Sequence, residues 1–254
     1  MPRTRRLKSE TGIYHVILRG INKQMFFEDD EDHEMFLKTL KQYKSQSQYK
    51  LLAYCLMGNH VHLLIKTEKE ELGQSFRRIG ASYVYWYNHK YHRTGHLFQD
   101  RYKSEVVETD AYLFAVLRYI HQNPIKAGIV QTLEEYTWSS YSEYLGLSNE
   151  QCVDKDFVLK LFNENRTKAI DDFKVFNETK TDDECLDIRE RRTISDKEAI
   201  KLIKKKYAVA SSGELNHFDS KKRTKCLKFL LKKGLSERQI ARITGISRYI
   251  IRKV

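Results

Sequence analysis

Residues 49–66 read Tyr-Lys-Leu-Leu-Ala-Tyr-Cys-Leu-Met-Gly-Asn-His-Val-His-Leu-Leu-Ile-Lys. Two apolar runs, Tyr49 to Met57 and Val61 to Lys66, flank Gly58-Asn59, a dipeptide that favours the tight turn of an antiparallel hairpin. Toward the N-terminus, Glu31 to Ser47 carries Met35, Phe36, Leu40 and Tyr43 at helical spacing, after an Asp-rich start suited to the positive end of a helix dipole. Before it, Ile13 to Arg19 (Ile-Tyr-His-Val-Ile-Leu-Arg) is rich in β-formers and is closed by Gly20, so it reads as a first strand. Beyond the hairpin, Glu71 to His89 resumes helical spacing through Leu72, Phe76, Ile79, Tyr83 and Trp86. Tyr102 to Val107 reads as a fourth strand. Thr109 or Asp110 then caps a helix through Tyr112, Leu113, Val116, Leu117 and Ile120, which Pro124 is expected to stop near Asn123. The order β-α-β-β-α-β plus a helix predicts an α+β fold: a ferredoxin-like split βαβ sandwich, a four-stranded antiparallel sheet with helices on one face. Such a fold hosts many chemistries, so function has to be read from particular residues.

The first domain is expected to span 1–145, with Trp138 to Tyr141 packing aromatics back on it. Residues 146–195 read as an acidic, partly helical connecting segment, with helical patches such as Phe157, Leu159 and Leu161. Residues 196–254 form a basic, all-α region. Within it, Lys221 to Lys233 reads as a helix with Cys226, Phe229 and Leu230 as its apolar stripe, ended by Gly234. Ser236 caps a second helix, Glu237 to Ile243, and after Thr244-Gly245 a last helix starts at Ser247. About 221–254 thus reads as a helix-turn-helix whose shared core is Ile240, Ala241, Ile246 and Ile250. Arg248 and Arg252, one turn apart, would face DNA with Arg238 or Lys253. A bare three-helix packing unit is the alternative.

The 254 residues are 41% hydrophobic and 31% charged, ordinary values for a folded soluble chain. No apolar run approaches the ~20 residues that cross a bilayer. The basic start Met-Pro-Arg-Thr-Arg-Arg lacks the apolar stretch of a secretory signal, so a cytoplasmic protein with no membrane partner is expected. Cys55, Cys152, Cys185 and Cys226 lie far apart, which suits reduced, structural thiols rather than a zinc knuckle or redox dithiol. The net charge of +12 is unevenly spread: +6 over residues 1–133, −8 over 134–190, +3 over 191–220 and +11 over 221–254. A polyanion touching both ends would favour this distribution, whereas a solvated basic tail is the plainer reading.

Two short motifs carry chemistry. In a strand, residues two apart project from one face, so His60 and His62 can converge on one metal while Val61 points to the core. A polar surface pair is the other reading of His-x-His. Tyr119 and Asn123, four apart, share a helix face, so a nucleophile and an oxygen ligand can reach the same metal. Taken alone, Tyr119 reads equally as a core tyrosine and Asn123 as a helix-end residue before proline. His89, His92 and His96 lie in a basic loop and are not read as a metal cluster.

Met57-Gly58-Asn59-His60-Val61-His62-Leu63-Leu64 and Arg118-Tyr119-Ile120-His121-Gln122-Asn123-Pro124 resemble the IS200-like single-tyrosine (HUH) transposases of the REP-associated group. Further matches are Tyr14-His15-Val16 through Arg19-Gly20, Gly95-His96-Leu97-Phe98-Gln99-Asp100-Arg101-Tyr102 and Trp138-Ser139-Ser140-Tyr141, so the resemblance covers roughly residues 10 to 145. It implies metal-dependent cleavage and rejoining of single-stranded DNA through a 5′-phosphotyrosine and a free 3′-hydroxyl. His60, His62 and Asn123 would be the metal ligands and Tyr119 the nucleophile. Asparagine at 123, where many mobile-element relatives have glutamine, is typical of the REP-associated branch. Two imidazoles suit zinc or manganese, whereas carboxamide, phosphate and water oxygens suit magnesium, and the family resemblance points to Mg or Mn before Zn.

DNA contact is expected from Arg19, Arg77, Arg78, Lys90, Arg93, Arg101 and Lys103 in the first domain, interleaved with Tyr83, Trp86 and Tyr87. Cations and aromatics in this pattern suit phosphates and stacked bases of a single strand, although Tyr83 and Trp86 equally suit the core. Arg238, Arg248 and Arg252 are the candidates in the tail, for duplex DNA. The expected partners are single-stranded DNA with hairpin structure and duplex DNA, and a homodimer is left open. Two rival readings stand beside this one: a domesticated DNA-binding regulator with the same fold and little turnover, and a metal-dependent phosphodiesterase that uses water in place of Tyr119.

Overall fold

The computed structural model describes residues 6–148, 150–181, 185–186 and 196–253. The chain divides into two compact units, residues 1–187 and 188–254. The expected boundary at 195/196 lies outside the described residues.

In the first unit, β1 (Ile13–Arg19), α1 (Asp30–Ser47), β2 (Tyr49–Met57), β3 (His60–Thr67), α2 (Leu72–Lys90), β4 (Lys103–Val106) and α3 (Asp110–Lys126) follow in the expected order. The sheet runs β2-β3-β1-β4 with every neighbouring pair antiparallel. The ends of the helices follow from their sequences. Asp29 accepts from the Asp32 amide while the Asp32 carboxylate accepts from the amides of Glu28 and Asp29, a reciprocal cap that starts α1. Thr109 caps α3 by accepting from the Tyr112 amide. Pro124 does not stop α3 at Asn123. The helix runs on to Lys126, because a proline in the last turn forfeits only its own amide bond and the Ala127 amide still reaches the Asn123 carbonyl at 2.9 Å.

The pleat gives the sheet two unlike faces. Val16, Leu18, Val61, Leu63 and Ile65 share one face and are all buried. Ile17 pairs with His62, which puts His15, Ile17, His60 and His62 on the other. The two crossover helices α1 and α2 pack on each other, as they do when both crossovers share a face. The helix α3 lies on the histidine face, where Tyr119 and Asn123 meet His62.

The unit does not end near residue 145. Residues 138–140 pair along β2, with Leu56 N to Trp138 O at 2.9 Å and Ser140 N to Tyr54 O at 3.0 Å, and Trp138 stacks on His33. Three more helices follow: α4 (Tyr141–Tyr144), α5 (Lys155–Phe162) and α6 (Arg166–Glu178). Val158, Leu159, Ala169 and Phe173 are buried in the same core as the sheet, so the acidic stretch expected to connect two domains is, as far as Glu178, packed structure. Its apolar residues are few, but Phe173 stacks on both Tyr141 and Tyr144.

The second unit holds α7 (Asp196–Tyr207), α8 (Ser220–Lys232), α9 (Glu237–Thr244) and α10 (Arg248–Arg252) around Ala199, Ile203, Leu215, Cys226, Leu227, Leu230, Ile240, Ile246 and Ile251. Ser236 caps α9 and Gly245, at φ 74°, ends it, as expected. Ile251 is the buried isoleucine of α10, and Ile250, like Ala241, packs partly buried against this core. Ser247 is an extended cap residue rather than the first helical one. No helix among the described residues is long and apolar enough to cross a membrane.

Candidate active site

The hairpin that opens the sequence argument also fixes the site. The amides of Phe26 and Phe27 donate to the Gly58 carbonyl at 2.9 and 3.2 Å, and the Gly20 amide donates to the Asn59 carbonyl at 3.0 Å. Gly20 is required there, because a Cβ would sit 2.1 Å from the Gln24 carbonyl oxygen. With the turn tied down on both residues, His60 enters β3 at a set position, and Asn59 Oδ1 lies 2.7 Å from its Nδ1. His60 is half-buried. His62 is fully buried, 5.1 Å from His60 between ring centroids.

From above, α3 brings Tyr119 and Asn123 onto the same spot. Asn123 Nδ2 lies 3.2 Å from His62 Nε2, and the Tyr119 ring is 5.5 Å from that of His62. The four residues expected to form one site therefore do meet. Two residues that sequence reasoning left out of the site join them. His15 on β1 places Nε2 at 3.1 Å from His62 Nδ1 and its ring 5.9 Å from Tyr119. The ammonium of Lys126 stands 5.2 Å from the Tyr119 ring centroid. Lys126 was within reach of the sequence, since it follows Tyr119 by two helical turns, whereas His15 reaches His62 only through the pairing of β1 with β3.

Behind the site lies a second polar layer. His121 Nδ1 meets Asn177 Oδ1 at 2.7 Å and its Nε2 meets Ser140 Oγ at 2.8 Å. Gln122 Nε2 donates to the carbonyls of Asn177 and Thr179 at 2.7 and 2.9 Å. These bonds join the helix that carries Tyr119 to the end of α6.

The imidazoles of His15, His62 and His121 are neutral near pH 7. Burial pushes the pKa of His15 down to about 3. That of His121 falls to about 4, with the Asn177 hydrogen bond opposing the effect of burial. His62 is held well below the usual range, first by burial and then by His15 and His60. A neutral imidazole has a lone pair to offer a cation. Among the described residues no group of three or more His, Cys, Asp or Glu side chains is placed to hold a metal ion, so a centre here would rest on two imidazoles and the Asn123 carboxamide. The donor set is uncharged and mixed N,O, which fits a divalent ion that keeps water and phosphate oxygens in its shell.

The expected DNA contacts fall into different situations. Arg19 ends β1 opposite His60. Arg77 and Arg101 are exposed and line, with Arg6, a groove of about 800 Å³ between α2 and residues 96–102, whose apolar wall includes Phe76, Phe98 and Tyr102. Lys103 is exposed on the edge strand β4. Arg78 is paired with Glu70 at 2.7 Å, and Arg93 lies over the Tyr87 ring. Lys90 is surrounded by Asp29, Glu31 and the buried Asp32 at 2.7–2.9 Å, a structural ion cluster. Tyr83 is core, with its hydroxyl donating to the Phe26 carbonyl. In the second unit Arg238 is exposed, while Arg248 and Arg252 both approach Glu237, at 3.9 and 2.8 Å.

Comparison with known proteins gives a family match and a likeness of fold. Residues 8–123 match the family described as "Transposase IS200 like". A protein of Haemophilus influenzae, provisionally named a REP-associated tyrosine transposase, is 25% identical in an alignment of 118 residues that covers 42% of this chain and 66% of the relative. The chain thus spans just under two thirds of that relative's length. Among solved structures, a REP-associated tyrosine transposase bound to a REP hairpin superposes with a TM-score of 0.50 at 14% identity, over 61% of this chain and 98% of the other, a likeness of fold. A provisionally assigned transposase of Deinococcus radiodurans R1 gives a TM-score of 0.34 at 19% identity, over 47% and 95% of the two chains.

Proposed function

We propose that this protein cleaves single-stranded DNA and transfers the cut strand, with Tyr119 as nucleophile, a reading supported by the match of residues 8–123 to the IS200-like transposase family. The observation that carries the reading is the meeting of α3 with β3: Asn123 Nδ2 stands 3.2 Å from His62 Nε2, with Tyr119 one turn away on the same helix face. A core tyrosine has no need of two neutral histidines and a carboxamide around it.

His60, His62 and Asn123 would hold a divalent metal, Mg or Mn before Zn, which supplies a grip on a non-bridging phosphate oxygen and offsets charge during attack. The remaining work belongs to the chain. Tyr119 Oη gives up its proton to solvent and attacks phosphorus in line with the 3′-oxygen; the new P–O bond forms as the P–O3′ bond breaks, and the departing 3′-oxygen takes up a proton from solvent. The product is a 5′-phosphotyrosine. Its ester keeps the energy of the broken bond, so a 3′-hydroxyl of another strand can reverse the step without ATP. The Lys126 ammonium, close to the Tyr119 ring, offsets the charge of the attacking phenolate. The α3 helix is joined to α6 through His121 and Gln122, which supports use of Tyr119 with the histidines of its own chain.

The substrate is read as a single strand with hairpin structure, supported by the likeness to a relative solved with a REP hairpin. Arg77 and Arg101, exposed beside aromatic and apolar groove walls, suit the phosphates and bases of an unpaired segment. Duplex affinity is assigned to the second unit, where 12 of the residues 221–254 are basic and 1 is acidic.

The test is covalent capture. A hairpin-bearing oligonucleotide with Mn should yield a protein–DNA adduct that survives denaturation, and Tyr119→Phe should lose it while still binding the DNA. Undiminished cleavage by the Phe variant would transfer the nucleophile's role to water or another side chain.

A further inference from the structure

His15 is fully buried on a strand of the site, yet the ligand set does not use it. Its Nε2 contacts His62 Nδ1 at 3.1 Å, and its Nδ1 is buried with no hydrogen-bond partner among the described residues. An apolar side chain at this place would avoid the cost of that orphaned nitrogen. The neighbouring face positions on β1 are Ile13 and Ile17, so the strand has no general need of a polar residue here.

We propose that His15 is a positioning residue whose hydrogen bond sets the tautomer of His62, leaving the Nε2 lone pair of His62 directed at the site. The inference rests on the reading of His62 as a ligand. The contact between two neutral imidazoles holds one proton, on either His62 Nδ1 or His15 Nε2. With the proton on His15 Nε2, His62 must carry its own proton on Nε2, which faces Asn123 and would block coordination. With the proton on His62 Nδ1, His15 accepts it through Nε2 and His62 Nε2 is bare. The Asn123 amide then donates to that lone pair, consistent with the 3.2 Å approach of Nδ2. In this arrangement the second proton of the pair sits on His15 Nδ1, the orphaned atom. The unsatisfied group is thus displaced one residue away from the ligand. A histidine with a fixed acceptor at one ring nitrogen presents the other in one state and one orientation.

The experiment uses the full chain. Nitrogen-15 NMR of the metal-free protein should find His62 protonated on Nδ1, and a titration with Mn(II) should give its affinity. His15→Leu, matched in burial but without an acceptor, should shift His62 toward the Nε2-protonated form and weaken Mn(II) by about 10–100-fold, the usual effect of losing a ligand's outer hydrogen bond. His15→Gln, whose side-chain oxygen can accept from Nδ1, should recover most of the affinity; a merely structural role would not be rescued in this way. A wild-type His62 protonated on Nε2 overturns the proposal, as does unchanged affinity in the Leu variant or an equal loss in both variants. Should the Leu variant fail to fold, the wild-type NMR result and the Gln variant still decide. If the wild type binds no Mn(II) at all, it is the ligand reading that fails, and the tautomer of His62 continues to judge His15 on its own.

Discussion

Lys126 and His121 sit on the same helix as Tyr119 and act on it by different physics. Lys126 is exposed, so its charge is well screened and its effect on a developing phenolate is modest. Lys126→Met should slow adduct formation by about three- to tenfold, equivalent to no more than ~1.4 kcal/mol, and leave DNA affinity nearly unchanged. Single-turnover rates on a saturating oligonucleotide measure this directly, and an unaltered rate would remove Lys126 from the mechanism. His121 is buried and neutral, with both ring nitrogens engaged. Its pKa is near 6.5 in the unfolded chain and about 4 in the folded one, so the unfolded state binds the extra proton between those values. The stability that His121 contributes is complete above pH 6.5 and is lost as pH falls toward 4, at about 1.4 kcal/mol per pH unit. His121→Gln should therefore cost most near pH 7, and the gap from wild type should narrow on acidification. Urea unfolding at pH 7 and pH 5 reads that gap; a gap that widened would reverse the sign of the argument.

At the scale of elements, the helix that carries Tyr119 packs on a layer that lies C-terminal to the family match. Phe173 on α6 is fully buried, stacks on Tyr144 at 4.3 Å, and packs against His121 at 5.6 Å. Phe173→Ala should destabilise the first unit by about 3–5 kcal/mol. It should also loosen α3, so amide exchange around Tyr119 should quicken before global unfolding does. If exchange quickens only in α5 and α6, the helix is held from below by β2 and β3 alone. This packing explains what was legible in the sequence. The strands could be read because the Gly58-Asn59 turn and alternating runs such as Ile13 to Arg19 are local signals, and the reading of 49–57 agrees with β2 to the residue. His60 and His62 were legible as a pair because a strand's period is fixed. His15 was not read into the site, since its relation to His62 runs through strand pairing rather than through spacing. The α6 layer was missed for another reason. Its apolar contribution is a few residues, Ala169 and Phe173 among them, set within charged sequence, and Tyr141, Tyr144, His121 and Phe162 from elsewhere help make the core around them. The reach of α3 past Pro124 escaped the same local rule, because a proline's penalty is small in a final turn.

On the scale of the whole molecule, charge and chemistry occupy different units. The tail arginines expected to meet DNA are partly committed, since Arg248 and Arg252 share Glu237. A better placed set lies on α8. Lys221, Lys225, Lys228 and Lys232 are exposed, and their spacing of four, three and four residues keeps them on one face, away from buried Cys226, Leu227 and Leu230. Four cations in a row along a helix suit the phosphates of a duplex better than the bases of a single strand. Each phosphate contact on duplex DNA adds about 0.9 to the slope of log affinity against log salt. Replacing all four lysines with Gln should lower that slope by up to about 3.6 for duplex DNA. These side chains belong to the second unit, with its own apolar core, so the substitutions should leave the melting transition of the first unit and the rate of Tyr119 adduct formation in place. Fluorescence anisotropy of a labelled duplex across a salt series, beside single-turnover cleavage of a hairpin strand, separates the two effects. An unchanged duplex slope would return the assignment to Arg238 and the α9–α10 turn. An equal fall in duplex binding and cleavage would mean instead that the basic unit delivers the strand to Tyr119, and that the polyanion affinity of this chain serves the reaction directly.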